Sequence, residues 1–179
     1  MISLKKKEII EKQLGREPRG ILEVPVECQF GFPVVVKTKP LIGKSDERQI
    51  FPTLYWLTCP HRVEQISKIE SEGFISVLED RLREDRDMKR SYIEQQKSYK
   101  KERNRLLSES DRIFLKRQSM EESLDKGIGG IEDFSHVKCL HMHLAHHLVD
   151  RNVVGSILEK EFDIGDCPSD KVRCREFKN

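Results

Sequence analysis

No apolar run in this chain approaches the ~20 residues that a helix needs to cross a bilayer, and Met1 to Ile10 lacks the apolar stretch of a signal peptide. No Cys-x-x-Cys pair occurs, which excludes the common zinc-ribbon and thioredoxin-like signatures. No nucleophile-elbow pattern and no internal repeat is present. Aromatic residues amount to 7% with one tryptophan, and 33 Lys and Arg against 31 Asp and Glu leave a net charge of only +2. A flat nucleic-acid platform needs basic runs interleaved with aromatics, so nucleic acid is not an expected partner. With no export signal and five cysteines, an odd number, the expected setting is a reducing cytoplasm with thiols free or metal-bound.

Charge is abundant instead, at 36%, against 36% apolar residues, so long solvated faces accompany a modest core. The 179 residues suit a single domain over 1–179. It divides into an N-terminal helix (1–14), a sheet region (21–59), a helical region (60–162) and a polar tail (163–179) expected to be flexible. Ser3 caps a first helix that Gly15 stops. Val24, Val26 and Val34 to Val36 favour a hairpin either side of Gln29-Phe-Gly-Phe32, with Pro25 and Pro33 at an edge or bulge. Phe51 to Cys59 reads as a third, buried strand, and Pro60 as the first turn of a helix. Ser76 to Ser108 reads as one long charged helix with a seam of Tyr92, Tyr99 and Leu106. A further helix is expected over Arg112 to Lys126, then a Cys/His helix capped by Ser135, and a last one over Val153 to Phe162. The fold class expected is α+β, a small antiparallel sheet from the N-terminal third packed under several helices, one long and highly charged.

The densest chemistry lies in Cys139-Leu-His-Met-His-Leu-Ala-His-His147, which holds four of the six histidines. At 100° per residue Cys139, Met142, His143, His146 and Asp150 share one face, with His141 beside the leucines opposite. Thiols and imidazoles are borderline ligands, so the candidate metal set is Cys28, Cys59, Cys139 and His146, with His141 or His143 as alternatives. Zinc or an iron–sulfur cluster is the matching cofactor. A thiol nucleophile at Cys139, close to a helix N-terminus, is a further reading. Cys167 and Cys174 have no recognised metal spacing. Arg16 and Arg19 in a Gly/Pro-framed loop, Lys37 at a strand end, Arg103 on an inward helix stripe and Lys138 form a candidate anion pocket for a phosphate-bearing or carboxylate ligand. The contrasting reading is a non-catalytic interaction or scaffold protein, its Cys and His packed in the core and its charged helix docking a partner.

Several stretches resemble a bacterial family designated domain of unknown function 501. They are Gly15-Arg-Glu-Pro-Arg-Gly20, Cys28-Gln-Phe-Gly-Phe-Pro33, Val36-Lys-Thr38 with Pro40, and Phe51-Pro-Thr-Leu-Tyr-Trp-Leu-Thr-Cys-Pro60. Glu70 with Gly73, Tyr99 with Arg103, Val137-Lys-Cys-Leu-His141, Ala145-His146, and Asn152 with Gly155 continue the likeness. The resemblance implies counterparts of Cys28, Cys139, His141 and His146 in relatives, with His at the position of Cys59 in some. It implies no activity. The chain departs from the family pattern at His143, where relatives carry an apolar residue, and at Val153.

Overall fold

A computed structural model describes residues 2–43 and 47–178. Helix α1 (Leu4–Leu14) starts where the Ser3 side chain accepts from the Lys6 amide and stops at Gly15, whose φ of 65° few other residues adopt cheaply. Strands β1 (Ile21–Glu27) and β2 (Pro33–Thr38) form an antiparallel hairpin, and β5 (Tyr55–Leu57) adds to the far side of β2 in the order β1-β2-β5. Pro25 sits in the edge strand where the register shifts between Glu23 and Val26, a position that needs no ladder donor. The central strand β2 is buried at five of its six positions, so its run of valines faces packing on both sides.

The expected third strand is real but short: only Tyr55–Leu57 pair with β2, and Phe51 to Leu54 approach as irregular chain. The connection between β2 and Phe51 contains a two-stranded ribbon, β3 (Leu41–Ile42) with β4 (Gln49–Ile50).

Helix α2 (Pro60–Ser71) follows, with Cys59 as its N-cap residue and Pro60 at the position expected. The long charged helix is broken into α3 (Phe74–Glu84) and α4 (Arg86–Arg105). Asp85 breaks it, because its backbone is extended and its carboxylate accepts from the amides of Asp87 and Met88 at 2.9 Å each. Tyr92 and Tyr99 form the inward seam of α4, with Gln96 and Arg103 on the same stripe. Helix α5 (Glu109–Arg117) opens with a capping box between Ser108 and Asp111, a few residues earlier than its apolar pattern suggests.

Helix α6 (Leu140–His147) begins four residues later than a Ser135 cap would place it. Its cap comes from elsewhere: the Glu70 carboxylate on α2 accepts from the Leu140 amide at 2.5 Å. Helix α7 (Val153–Glu161) is capped by Asn152, whose Oδ1 accepts from Gly155 N at 2.7 Å. The tail also differs from expectation. It folds back as a 3-10 turn over Arg173–Lys178, buries Cys167 and Cys174, and packs on α1. The main core lies between the sheet and helices α2, α3, α4, α6 and α7, which packs an antiparallel sheet under helices. Among the described residues no helix is long and apolar enough to cross a membrane.

Candidate metal centre

Val63, Ser67 and Glu70 recur at i, i+4 and i+7 on α2 and therefore share one face. The N-terminus of α6 abuts that face. Cys139, the residue before α6, has φ 56° and ψ 89°, a left-handed backbone that a side chain other than glycine adopts at a cost. That turn places Cys139 and His141 beside Glu70, and one ligating atom from each of the three lies within 4.8 Å of the others. Among the described residues this is the group of three or more potential ligands that close together.

His141 is held from both sides. Its Nδ1 is 3.2 Å from Glu70 Oε2, and its Nε2 is 3.2 Å from the Val63 carbonyl and 3.1 Å from Ser67 Oγ. A neutral imidazole has one N–H, yet a carbonyl and a carboxylate, both acceptors, face its two nitrogens. A positive charge on or beside the ring resolves this. The pKa of His141 is accordingly raised, chiefly by its hydrogen bond with Cys139, against opposition from burial and with help from Glu70.

The cluster opens on a cavity of about 500 Å³. Leu14, Trp56, Leu57, Pro60, Val63 and Met142 supply its apolar wall, while Gln13, Arg16 and Glu64 stand at its polar edge. The Arg16 guanidinium lies over the Trp56 ring, 5.6 Å from its centroid. A larger cavity of about 750 Å³ lies elsewhere, between α1, the β3–β4 ribbon and Arg48 and Asp111, and holds neither Cys nor His.

The structure distributes the candidate residues unevenly. Cys139 meets His141, and neither Cys28, Cys59, His143 nor His146 belongs to that group. His146 is buried between the rings of Tyr55 and Tyr99, at centroid distances of 5.8 and 5.3 Å, and its Nδ1 faces Asn152 Nδ2 at 3.1 Å. His147 Nδ1 accepts from Asn152 N at 3.0 Å while its Nε2 reaches Glu159, also at 3.0 Å. Of the basic residues, Arg16 lines the cavity beside Cys139 and His141, and Arg19 lines a separate small pocket that also borders Trp56. Lys37 is ion-paired with Glu102 at 3.0 Å and Glu23 at 3.6 Å, Arg103 is fully buried, and Lys138 is exposed.

His143 is 1% exposed, neither ring nitrogen has a hydrogen-bond partner, and burial pushes its pKa down to about 3. It stacks on Tyr92 at 5.8 Å and behaves as a neutral core residue. The unfolded chain takes up a proton on this ring near its ordinary value of 6.5, whereas the folded chain resists until about pH 3. Stability therefore falls as the pH drops through that window. We expect His143→Leu to raise stability at pH 7 by about 1 kcal/mol and to flatten that acid limb. Urea titrations at several pH values measure both, and a loss of bound metal in this variant would place His143 at the site instead.

Two residues that shape the site enter the sequence reading only through the family likeness, with no role assigned to them. Glu70 is one of 31 acidic residues, and nothing local marks it as the partner of a helix seventy residues on. Asn152, the N-cap of α7, also donates from its side-chain amide to the His143 carbonyl at 2.9 Å, tying α6 to α7.

An antiparallel sheet under helices, with a Cys/His/Glu group at the junction of α2 and α6, thus defines an α+β protein with a candidate metal centre. The chain belongs to the family described as "Protein of unknown function (DUF501)", which it matches over residues 24–160. No curated protein and no solved structure matches it.

Proposed function

We propose that Glu70, Cys139 and His141 hold one divalent metal ion, zinc by the character of the donor set, and that the neighbouring cavity presents a small phosphorylated or carboxylated molecule to it. Thiolate, imidazole and carboxylate are all ordinary zinc ligands, and three protein ligands leave a fourth position for water or substrate. The observation that carries the reading is the double acceptor environment of His141. Val63 O takes the Nε2–H, so Nδ1 offers its lone pair on the side of Glu70 and Cys139. That is the second-shell arrangement that orients a ligating histidine.

A bound zinc polarises a carbonyl or phosphoryl oxygen and acidifies bound water, chemistry suited to hydrolysis or group transfer. The chain's own residues supply the rest. Arg16 is exposed at the cavity edge and offers an anion its planar fork of donors, while Trp56, Leu57 and Val63 shield an apolar body from water. Leu140 N, held by Glu70, fixes the carboxylate so that its second oxygen faces His141.

A second reading rests on the left-handed backbone of Cys139. Strain of this kind gathers at reactive positions, and Cys139, His141 and Glu70 supply nucleophile, base and orienting acid. Metal analysis of tag-free protein separates the two. The proposal expects about one zinc per chain at this site, lost in Cys139→Ser and in Glu70→Gln. Because His141 holds its proton above the ordinary value, uptake should strengthen as pH rises through neutrality and the proton leaves. Unchanged metal content in both variants, or Cys139 alkylation that depends on His141 in protein without metal, would replace the metal reading by the thiol one.

A further inference from the structure

The four cysteines outside the Glu70 group converge on one side of the molecule, though 31, 108 and 7 residues separate them in order along the chain. Cys28 sits in the β1–β2 turn, where its amide donates to Phe32 O and its carbonyl accepts from Gly31 N. It packs against both the buried cluster that contains Cys59 and the one that contains Cys174. Cys167 is brought there by its neighbour Asp166, whose two oxygens accept from the Gln29 amide and from Arg62, each at 2.9 Å. Those partners lie next to Cys28 and three residues past Cys59. Cys174 receives a hydrogen bond on its sulfur from Gln13 Nε2 at 3.3 Å.

We propose that Cys28, Cys59, Cys167 and Cys174 form a second metal site, a four-thiolate pocket for a soft ion such as Zn²⁺ that the C-terminal tail closes. Buried cysteine ordinarily packs as a small hydrophobe. What exceeds that use is the gathering of four thiols in one region, two of them with polar donors, Gln13 on Cys174 and the amides of His61 and Arg62 on Cys59. Burial pushes the Cys174 thiol up to about 11 and raises that of Cys59, and at each the neighbouring thiols add to the rise while Gln13 or the amides of His61 and Arg62 oppose it. Among the described residues no three of these sulfurs lie within 4.8 Å of one another. Bonds of ~2.3 Å to one ion therefore require the tail cysteines to rotate inward. Binding releases the thiol protons to solvent and leaves a thiolate complex, whose negative charge falls near Arg62. The tail pair lies beyond residue 160, where the family match ends, while Cys28 and Cys59 lie inside it.

The test uses full-length, tag-free protein equilibrated with Zn²⁺ under reducing conditions. Cys167→Ser/Cys174→Ser should lose about one zinc equivalent relative to its parent. It should do so equally in the Cys139→Ser background, so failure here and failure of the Glu70 site are separable. Chelation should lower the melting temperature of Cys139→Ser but not that of the triple variant. If the serine variants do not fold, Co²⁺ titration of Cys139→Ser gives an independent answer, since bound thiolates produce strong sulfur-to-metal charge-transfer absorption. Equal zinc in parent and tail variant, no such absorption, or a disulfide among the four in protein prepared without metal would overturn the proposal.

Discussion

Arg103→Met should be among the most damaging single substitutions in this chain, costing about 3 kcal/mol. Arg103 is 0% exposed at the end of the α4 seam. Its Nη1 donates to Pro52 O at 2.8 Å and its Nη2 to the carbonyls of Leu124 and Lys126. Tyr99 lies under the guanidinium at 5.6 Å, and desolvation lowers the Arg103 pKa. The cation thus joins two segments, the chain at Pro52 and the stretch from Leu124 to Lys126, through three carbonyl oxygens, and among the described residues no carboxylate bonds to it directly. Methionine fills the volume but leaves three carbonyls, one buried and two partly buried, without this donor. Lysine offers a point of charge where a planar fork is needed, so Arg103→Lys should recover less than half of the loss. For a chain of this size the loss corresponds to a fall of roughly 6–12 °C in melting temperature. A fall under 2 °C would show that those carbonyls find other partners.

Gly155→Ala should follow closely, at about 2–3 kcal/mol. A Cβ at Gly155 would stand 2.1 Å from Cβ and 2.2 Å from Cγ of His147, the root of a buried side chain held by Asn152 and Glu159. Neither helix can yield without loosening the Asn152 bonds that join α6 to α7. Gly165→Ala is the matched control, because nothing lies within 4 Å of a Cβ there and its φ is outside the left-handed region. Equal stability of the two variants would remove close packing as the reason for glycine at 155.

These two positions also show where the sequence is legible and where it is not. Local chemistry is readable. Ser3, Gly15 and Pro60 mark helix ends by rules that involve a few neighbouring residues, and β-branched valines either side of a Gly-containing turn mark the hairpin. The breaks that needed a long-range partner stayed hidden. Helix α6 starts at Leu140 because a carboxylate on α2 caps it, so the nearer Ser135 misleads. The division of the long charged stretch at Asp85 is a local signal, a cap on Asp87 and Met88, and is hidden only because that aspartate is one of many acids.

The candidate site followed the same division. Cys139 and His141 stand out by crowding, whereas Glu70, which completes the group, looks like any surface acid. Four histidines in nine residues suggested a shared function, yet three of them serve the core: His143 unpaired, His146 between two tyrosines, and His147 on Asn152. Periodicity places a residue on a helix face but does not say whether that face meets a cavity or a sheet. Helix α6 is buried nearly all round, with His141 and Met142 at its more open edge, so the ligand-rich face and the core face are the same.

Crystals of the wild-type protein grown with zinc, measured on both sides of the zinc absorption edge, test the central claim most directly. The account predicts an anomalous peak ~2.3 Å from Cys139 Sγ and ~2.0–2.1 Å from a ring nitrogen of His141, with a Glu70 oxygen completing the protein ligands. Well-ordered density with no peak between these three side chains, and His141 hydrogen-bonded directly to Glu70, would contradict it.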